Sequence, residues 1–327
     1  CNGDTLSIKN CVVTETTGTI GDDLIAAHHT PFIEIIGCDL FGDPTSSRID
    51  AIDLDGVSMA NIAQNSILDF PDDAIDIGSG STNVTISNNS ISNCDMGVSV
   101  GESSKASVNH NVVSYCGAGI QSHTNAVVTA THNTFYGNQV GIRALHYDSQ
   151  PTSYGKAYVS NSIFANCTVA TVKLVENSVV TFSHCLSDTE VLEGKGNVLG
   201  NPAFVDAANG NFFLGAGSAA IDMGSGENDT DGTPADLGFA ARYNSPIIIQ
   251  EICASNLSNH ADEAKEYDDW FELYNTTDAP INLRGYFLSD KPGKTNKFEL
   301  LQDVIIQAHS SLLFWADDSL QQGPTHV

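Results

Sequence analysis

The sequence predicts an all-β chain, a right-handed parallel β-helix of about eight turns followed by a β-sandwich, and three observations carry that expectation. One column of residues recurs at Cys11, Cys38, Asn65, Asn89, Asn111, Asn133, Asn161 and Cys185, with spacings of 22 to 28 residues. Repeats of that length mean stacked units, each covering the apolar face of the next. A second column reads Ile25, Ile52, Ile75, Val98, Ile120 and Ile142, followed two residues later by Ala27, Leu54, Ile77, Val100, Ser122 and Ala144. Period two marks strands with one face buried. From Ile247 the repeat gives way to "IIIQEICASN", "YDDWFELYNTTDAPINLRGYFLSD" and "HSSLLFWADD", alternating segments parted by turns, which is a sandwich pattern.

Three segments follow in order: the β-helix over residues 1–186, a closing segment and linker over 187–243, and the sandwich over 244–327. "TLSIKNCVV" near the start already reads as a rung, so the chain is expected to begin inside a longer protein. Within the helix, stacked Asn amides can hydrogen-bond from rung to rung and satisfy a buried corner. Cys94 and Cys116 stack at the next corner as small core residues, and a Cys11–Cys38 disulfide is geometrically allowed. In the linker, "NDTDGTPADLG" groups Asp229, Asp231 and Asp236 either as a second calcium loop or as an Asx-rich turn. Trp270 and Trp315 are expected in the sandwich core.

With 40 acidic residues against 13 Lys and Arg, the formal net charge of −27 argues against nucleic acid, whose phosphates need basic residues. No apolar run reaches the roughly 18 residues of a membrane span. The acids are unevenly placed. Between the inward positions of each strand, one residue must point outward. That sets Ala26, Asp53, Asp76, Ser99, Gln121 and Arg143 in one column, and His28, Asp55, Gly78, Gly101, His123 and Leu145 in the next. Asp22, Asp23, Asp50, Asp72, Asp73 and Asp95 stand at the corner before the strand, so nine aspartates share a few rungs.

Like charges one rung apart raise each other's pKa unless a cation or a shared proton intervenes. Asp72, Asp73, Asp76 and Asp53 are therefore the candidate cation ligands. Asp53, Asp55, Gln121, His123 and Arg143 line the same face as candidate ligand-binding residues, joined by His146 from the long insertion "ALHYDSQPTSYGKAY". A solvated acidic surface with no partner is the plainer alternative.

Two families of pectin-degrading β-helix resemble this stretch. Polygalacturonase-like glycoside hydrolases carry an Asp on one rung, an Asp-Asp pair on the next and Gly-His-Gly on a third; Asp50, Asp72 and Asp73 match the first two, and Met96 replaces the histidine. The resemblance implies Asp50, Asp72 and Asp73 as catalytic residues of an inverting hydrolysis. Calcium-dependent pectate lyases carry an Asp-Asp-x-x-Asp run, matched by Asp72, Asp73 and Asp76, and the resemblance there implies calcium at the uronate carboxylate. The last 80 or so residues resemble a lamin-tail domain through Glu251, Asn256, Trp270, Glu272, Leu273, Tyr274, Asn275, Leu283, Gly285, Leu288 and Asp290. That likeness implies an immunoglobulin-like accessory module of a bacterial secreted or surface protein. Together these readings give an extracellular or cell-surface β-helix protein acting on, or binding, an acidic polysaccharide such as a polyuronate. A non-catalytic adhesion or scaffold protein is the alternative.

Overall fold

A computed structural model describes residues 5–15, 23–46, 49–146, 152–175, 177–215, 217–226, 228–229, 232–239, 247–258, 260–275, 277, 279–289, 291, 294, 297–317, 319 and 321–327. The chain divides into two compact units, Cys1–Tyr243 and Asn244–Val327. Among the described residues there is no α-helix, and no helix long and apolar enough to cross a membrane.

In the first unit the rungs stack short strands into three parallel sheets, of eight, nine and seven strands. Seven rungs therefore carry all three strands, against the eight turns expected. The seven-stranded sheet, here the acidic sheet, is built from Ile25–His28, Ile52–Asp55, Ile75–Gly78, Met96–Val100, Ala118–Ser122, Val140–Ala144 and Ala170–Leu174. Its register is the one the sequence columns predict: Ile25 pairs with Ile52, Ile52 with Ile75, and Ala26, Asp53, Asp76, Ser99, Gln121 and Arg143 stand in one line. The inward Ile52, Ile75, Ile77, Ile120 and Ile142 are fully buried, so a one-residue slip would bring the aspartates into the core.

The Asn column forms a ladder. The Asn65 backbone N–H and Nδ2 both donate to Asn89 Oδ1 at 3.0 and 2.9 Å, and the same pair of bonds links Asn89 to Asn111 at 2.9 and 2.9 Å. Asn111 joins Asn133 in the same way, at 2.9 and 3.0 Å. The expected next member, Asn161, is not in it. Ser162 takes that place, its hydroxyl accepting the Asn133 N–H at 3.1 Å, while Asn161 sits at φ +48° and pairs with the backbone of Ser225. The position before each corner residue is left-handed in several rungs, at Asn10, Asn88, His110, His132 and His184, and Asn tolerates it well. Asn161 was misplaced by one residue because both positions favour Asn. Cys11 and Cys38 are free thiols.

Behind the last rungs, an antiparallel hairpin of Phe204–Asp206 and Asn211–Leu214 contributes Leu214 to a small apolar cluster with Ile163, Leu186, Ala220 and Leu237. The second unit has a three-stranded antiparallel sheet, Ile247–Cys253, Trp270–Asn275 and Ser311–Trp315, with Trp270–Asn275 in the middle. Leu273, Leu283, Leu300, Val304, Ile306 and Phe314 form its core, and Trp270 and Trp315 are buried as expected. Asn275 is also buried, donating to Ala279 O and Ile306 O at 2.8 and 3.0 Å, so its amide ties two strands together. Asp290 lies outside the described residues.

Candidate functional site

The corner before the acidic sheet links its carboxylates to the next rung. Asp50 Oδ1 accepts the backbone N–H of Asp73 at 2.8 Å, and Asp23 Oδ1 accepts that of Asp50 at 3.0 Å. Carboxylate oxygens of Asp50, Asp72 and Asp73 come within 4.8 Å of one another. His28, Asp53 and Asp55 make a second such group, with His28 Nδ1 at 3.4 Å from Asp55 Oδ2. Of the four aspartates expected to share one ion, Asp72 and Asp73 stand in the first group, Asp53 in the second and Asp76 in neither. Asp50 joins Asp72 and Asp73, and Asp53 goes with Asp55. The corner column and the hydrolase resemblance already set Asp50 with Asp72 and Asp73, apart from Asp53; which oxygens converge within each group depends on side-chain rotation. Asp22 lies outside the described residues.

Burial and like charge act together here. Burial, and then the charges of Asp76, Asp50 and Asp72, push the Asp73 carboxyl up to about 9. Asp50 rises to about 8, chiefly by burial, against the bond it accepts from the Asp73 amide. Asp53 rises to about 7 by burial and by Asp55. Asp76 reaches only about 6, because the Ser99 hydroxyl stabilises its charge against burial. Ser99, which is buried, also hydrogen-bonds Asp73, and so bridges the corner and the strand.

The adjacent outward column shapes a trough. Asp55, Gly78, Gly101 and His123 follow each other along it, and a side chain at either glycine would collide with its neighbour: a Cβ at 78 would overlap Asp55 Oδ1, and one at 101 would overlap His123 Cε1. Asp55 and His123 therefore lean toward each other over two rungs that have no side chains. Asp50, Asp53, Asp76 and Glu102 complete the walls of a cavity of ≈ 220 Å³. His123 Nδ1 lies 2.9 Å from Thr124 Oγ1, and burial lowers its pKa against the pull of Glu102, keeping the ring neutral.

Farther along, the acid gives way to base. Arg143 Nη1 donates to Gln121 Oε1 at 3.4 Å and meets Met96 Sδ at 3.6 Å, although Met96 is two rungs back and pairs with Asp73. The rung count sets Arg143 about 14 Å beyond Asp76, and its side chain reaches back two rungs to Met96. Its Nε is buried without a hydrogen-bond partner. Lys173 continues the line directly beyond Arg143. Sequence reasoning missed it because the long insertion breaks the spacing, though "ATVKL" repeats the strand pattern. Glu102 and Ser99 were missed as well. Neither is distinctive until the trough is seen.

The remaining candidates stand apart. His146 packs edge-on against Tyr154 with ring centroids 5.4 Å apart, and Tyr147 lies outside the described residues. In the linker, Asp229 Oδ2 accepts the Asp236 N–H at 2.9 Å and Asp236 Oδ1 accepts the Asp222 N–H at 2.8 Å. Both carboxylates thus organise a turn, and Asp231 lies outside the described residues.

Fold and site together define a parallel β-solenoid protein with an acidic trough on one sheet, followed by an immunoglobulin-like domain. Residues 1–158 match the family model for a right handed beta helix region, and residues 240–326 match that for a lamin tail domain. The chain is a right-handed β-helix followed by a lamin tail domain. No curated protein matches it.

Proposed function

We propose that the acidic sheet binds an acidic polysaccharide, with a calcium ion at the Asp50, Asp72 and Asp73 corner and the chain of sugars lying along the trough toward Arg143 and Lys173. The carrying observation is the single in-register line Asp53, Asp76, Ser99, Gln121, Arg143, Lys173, which runs from acid through neutral donors to base. A polyuronate needs both ends. Its carboxylates are repelled by bare aspartates, so the acid end requires a cation, whereas guanidinium and ammonium groups pair with uronates directly. The Asp55 carboxylate and the His123 ring cover Gly78 and Gly101, so a sugar in the trough would rest on those two side chains.

The donor set fits calcium, a hard ion that takes six to eight oxygens. Asp50, Asp72 and Asp73 would hold it, and bound there it would neutralise a uronate carboxylate. Met96 stands where the hydrolase motif has its histidine, which favours binding over the hydrolysis implied by the first resemblance. An extracellular or cell-surface setting, where polyuronates and millimolar calcium occur together, belongs to the same reading.

The test is a polyuronate panel assayed with and without calcium, followed by binding, by absorbance near 235 nm for unsaturated ends, and by reducing ends. Calcium-dependent binding supports the proposal, and either product signal would add turnover to it. No binding to any polyuronate at any calcium concentration would defeat it and favour a scaffold role.

A further inference from the structure

The second unit buries a cluster that its core does not need. His326, 1% exposed, is held beside Trp315: the Trp315 N–H donates to Thr325 O at 2.9 Å, the Val327 N–H to Trp315 O at 2.8 Å, and the imidazole stacks on the indole. One ring nitrogen, Nδ1, lies 2.6 Å from Asp317 Oδ2. The other, Nε2, is buried without a hydrogen-bond partner, although Glu263 Oε2 is 3.4 Å away. Asp262, 8% exposed, uses Oδ1 to accept the Glu266 N–H at 2.7 Å, while its Oδ2 is buried and unpartnered. Ligand atoms of Asp262, Glu263 and His326 lie within 4.8 Å of one another.

With its proton on Nδ1, toward Asp317, the imidazole presents a lone pair at Nε2. Asp262 and Glu263 present carboxylate oxygens to the same point. In that tautomer three acceptors converge with no donor among them, and the buried Asp262 Oδ2 has no hydrogen-bond partner. A doubly protonated ring would point Nε2–H at Glu263 Oε2, 3.4 Å away, and against its burial the Asp317 and Glu263 carboxylates raise the imidazole pKa, so a cation at Nε2 would take the place of that proton. One cation answers all three groups. The Asp317–His326 pair is the outer-shell arrangement that fixes the tautomer and plane of a metal-binding histidine. The 3.4 Å between Nε2 and Oε2 also equals the edge, about 3.4 Å, of a tetrahedron with metal bonds near 2.1 Å.

We propose that His326, Asp262 and Glu263 bind a divalent cation of the zinc class in the second unit, with Asp317 as the positioning residue for the imidazole. The Glu263 side chain is 81% exposed, so the ion can reach the site from solvent past that carboxylate.

The experiment is titration of the full chain with zinc alone by calorimetry, and with cobalt(II) followed by its visible absorption. One equivalent is expected in the wild type and in Asp50→Asn/Asp73→Asn, which separates this site from the β-helix. Glu263→Gln, on an exposed side chain that the fold does not require, is expected to weaken binding at least tenfold, and His326→Gln to abolish it. Asp317→Asn is expected to weaken it 10- to 100-fold and to shift the cobalt band, which a merely structural role would leave in place. If His326→Gln fails to fold, Glu263→Gln decides. No zinc binding by the wild type, binding unmoved by Glu263→Gln, or binding lost with Asp50→Asn/Asp73→Asn would overturn the proposal.

Discussion

Asp50 Oδ1 accepts the backbone N–H of Asp73 at 2.8 Å, so the carboxylate of one rung is held at the corner of the next, among the acids it repels. That bond fixes Asp50 where its charge is costly. Together with the burial of Asp73, it makes the corner a place where a proton or a cation is needed.

The first consequence is a pH dependence. In the folded chain Asp73 keeps its proton to about 9 and Asp50 to about 8, whereas an unfolded aspartate releases it near 4. Between those limits the folded state holds more protons, so stability falls as pH rises. Without divalent ions, the melting temperature is expected to drop steadily from pH 5 to pH 9. Asp73→Asn keeps the shape, removes the charge and should flatten the curve, melting about 2–4 °C higher than wild type at pH 8 if it relieves about 1 kcal/mol. A wild-type curve that rises over this range would contradict the assignment.

The trough makes a second prediction. Gly101→Ala drives a methyl into the His123 ring and is expected to cost about 1–3 kcal/mol. Gly101→Ala/His123→Ala removes the collision, so the double variant should unfold at a higher urea concentration than Gly101→Ala alone. Independent, additive losses would show that the ring does not lie over Gly101.

The Asn ladder supports the scaffold beneath. Asn111→Ala would leave the Asn89 N–H and Nδ2, Ile86 O and Asn133 Oδ1 short of partners in a buried corner. A loss of about 3 kcal/mol is expected in urea unfolding, against less than about 0.5 for Ser90→Ala, whose side chain is exposed. Equal effects would mean that the ladder is ornamental.

At the basic end, Arg143→Lys keeps the charge but loses the planar fork. It is expected to weaken polyuronate binding roughly tenfold while leaving calcium affinity unchanged. A matching loss of calcium affinity would place Arg143 at the ion rather than along the ligand.

Much of this was legible in the sequence because a β-helix repeats its own contacts. Ile52, Ile75 and Ile120 announce one face, and the residues between them had to point outward together, which placed Asp53, Asp76, Gln121 and Arg143 in line. Side-chain direction was not legible. The corner column and the hydrolase resemblance both put Asp50 with Asp72 and Asp73, but nothing in the sequence says that Asp76 stands outside the group they form, or that Arg143 and Met96 meet. Asn161 and Ser162 could not be told apart, since Asn suits both a stacked corner and a left-handed one. The cluster at His326 was invisible, because Asp262 and Glu263 lie more than 50 residues before Asp317 in no metal-binding spacing.

Calorimetric titration of calcium into the wild-type chain and into Asp50→Asn/Asp73→Asn tests the central claim most directly. The account predicts a calcium-binding event in the wild type, tighter at pH 8 than at pH 6 as protons are displaced, and absent from the double variant. Calcium binding that survives both substitutions, or a wild type that binds none at pH 8, would contradict it.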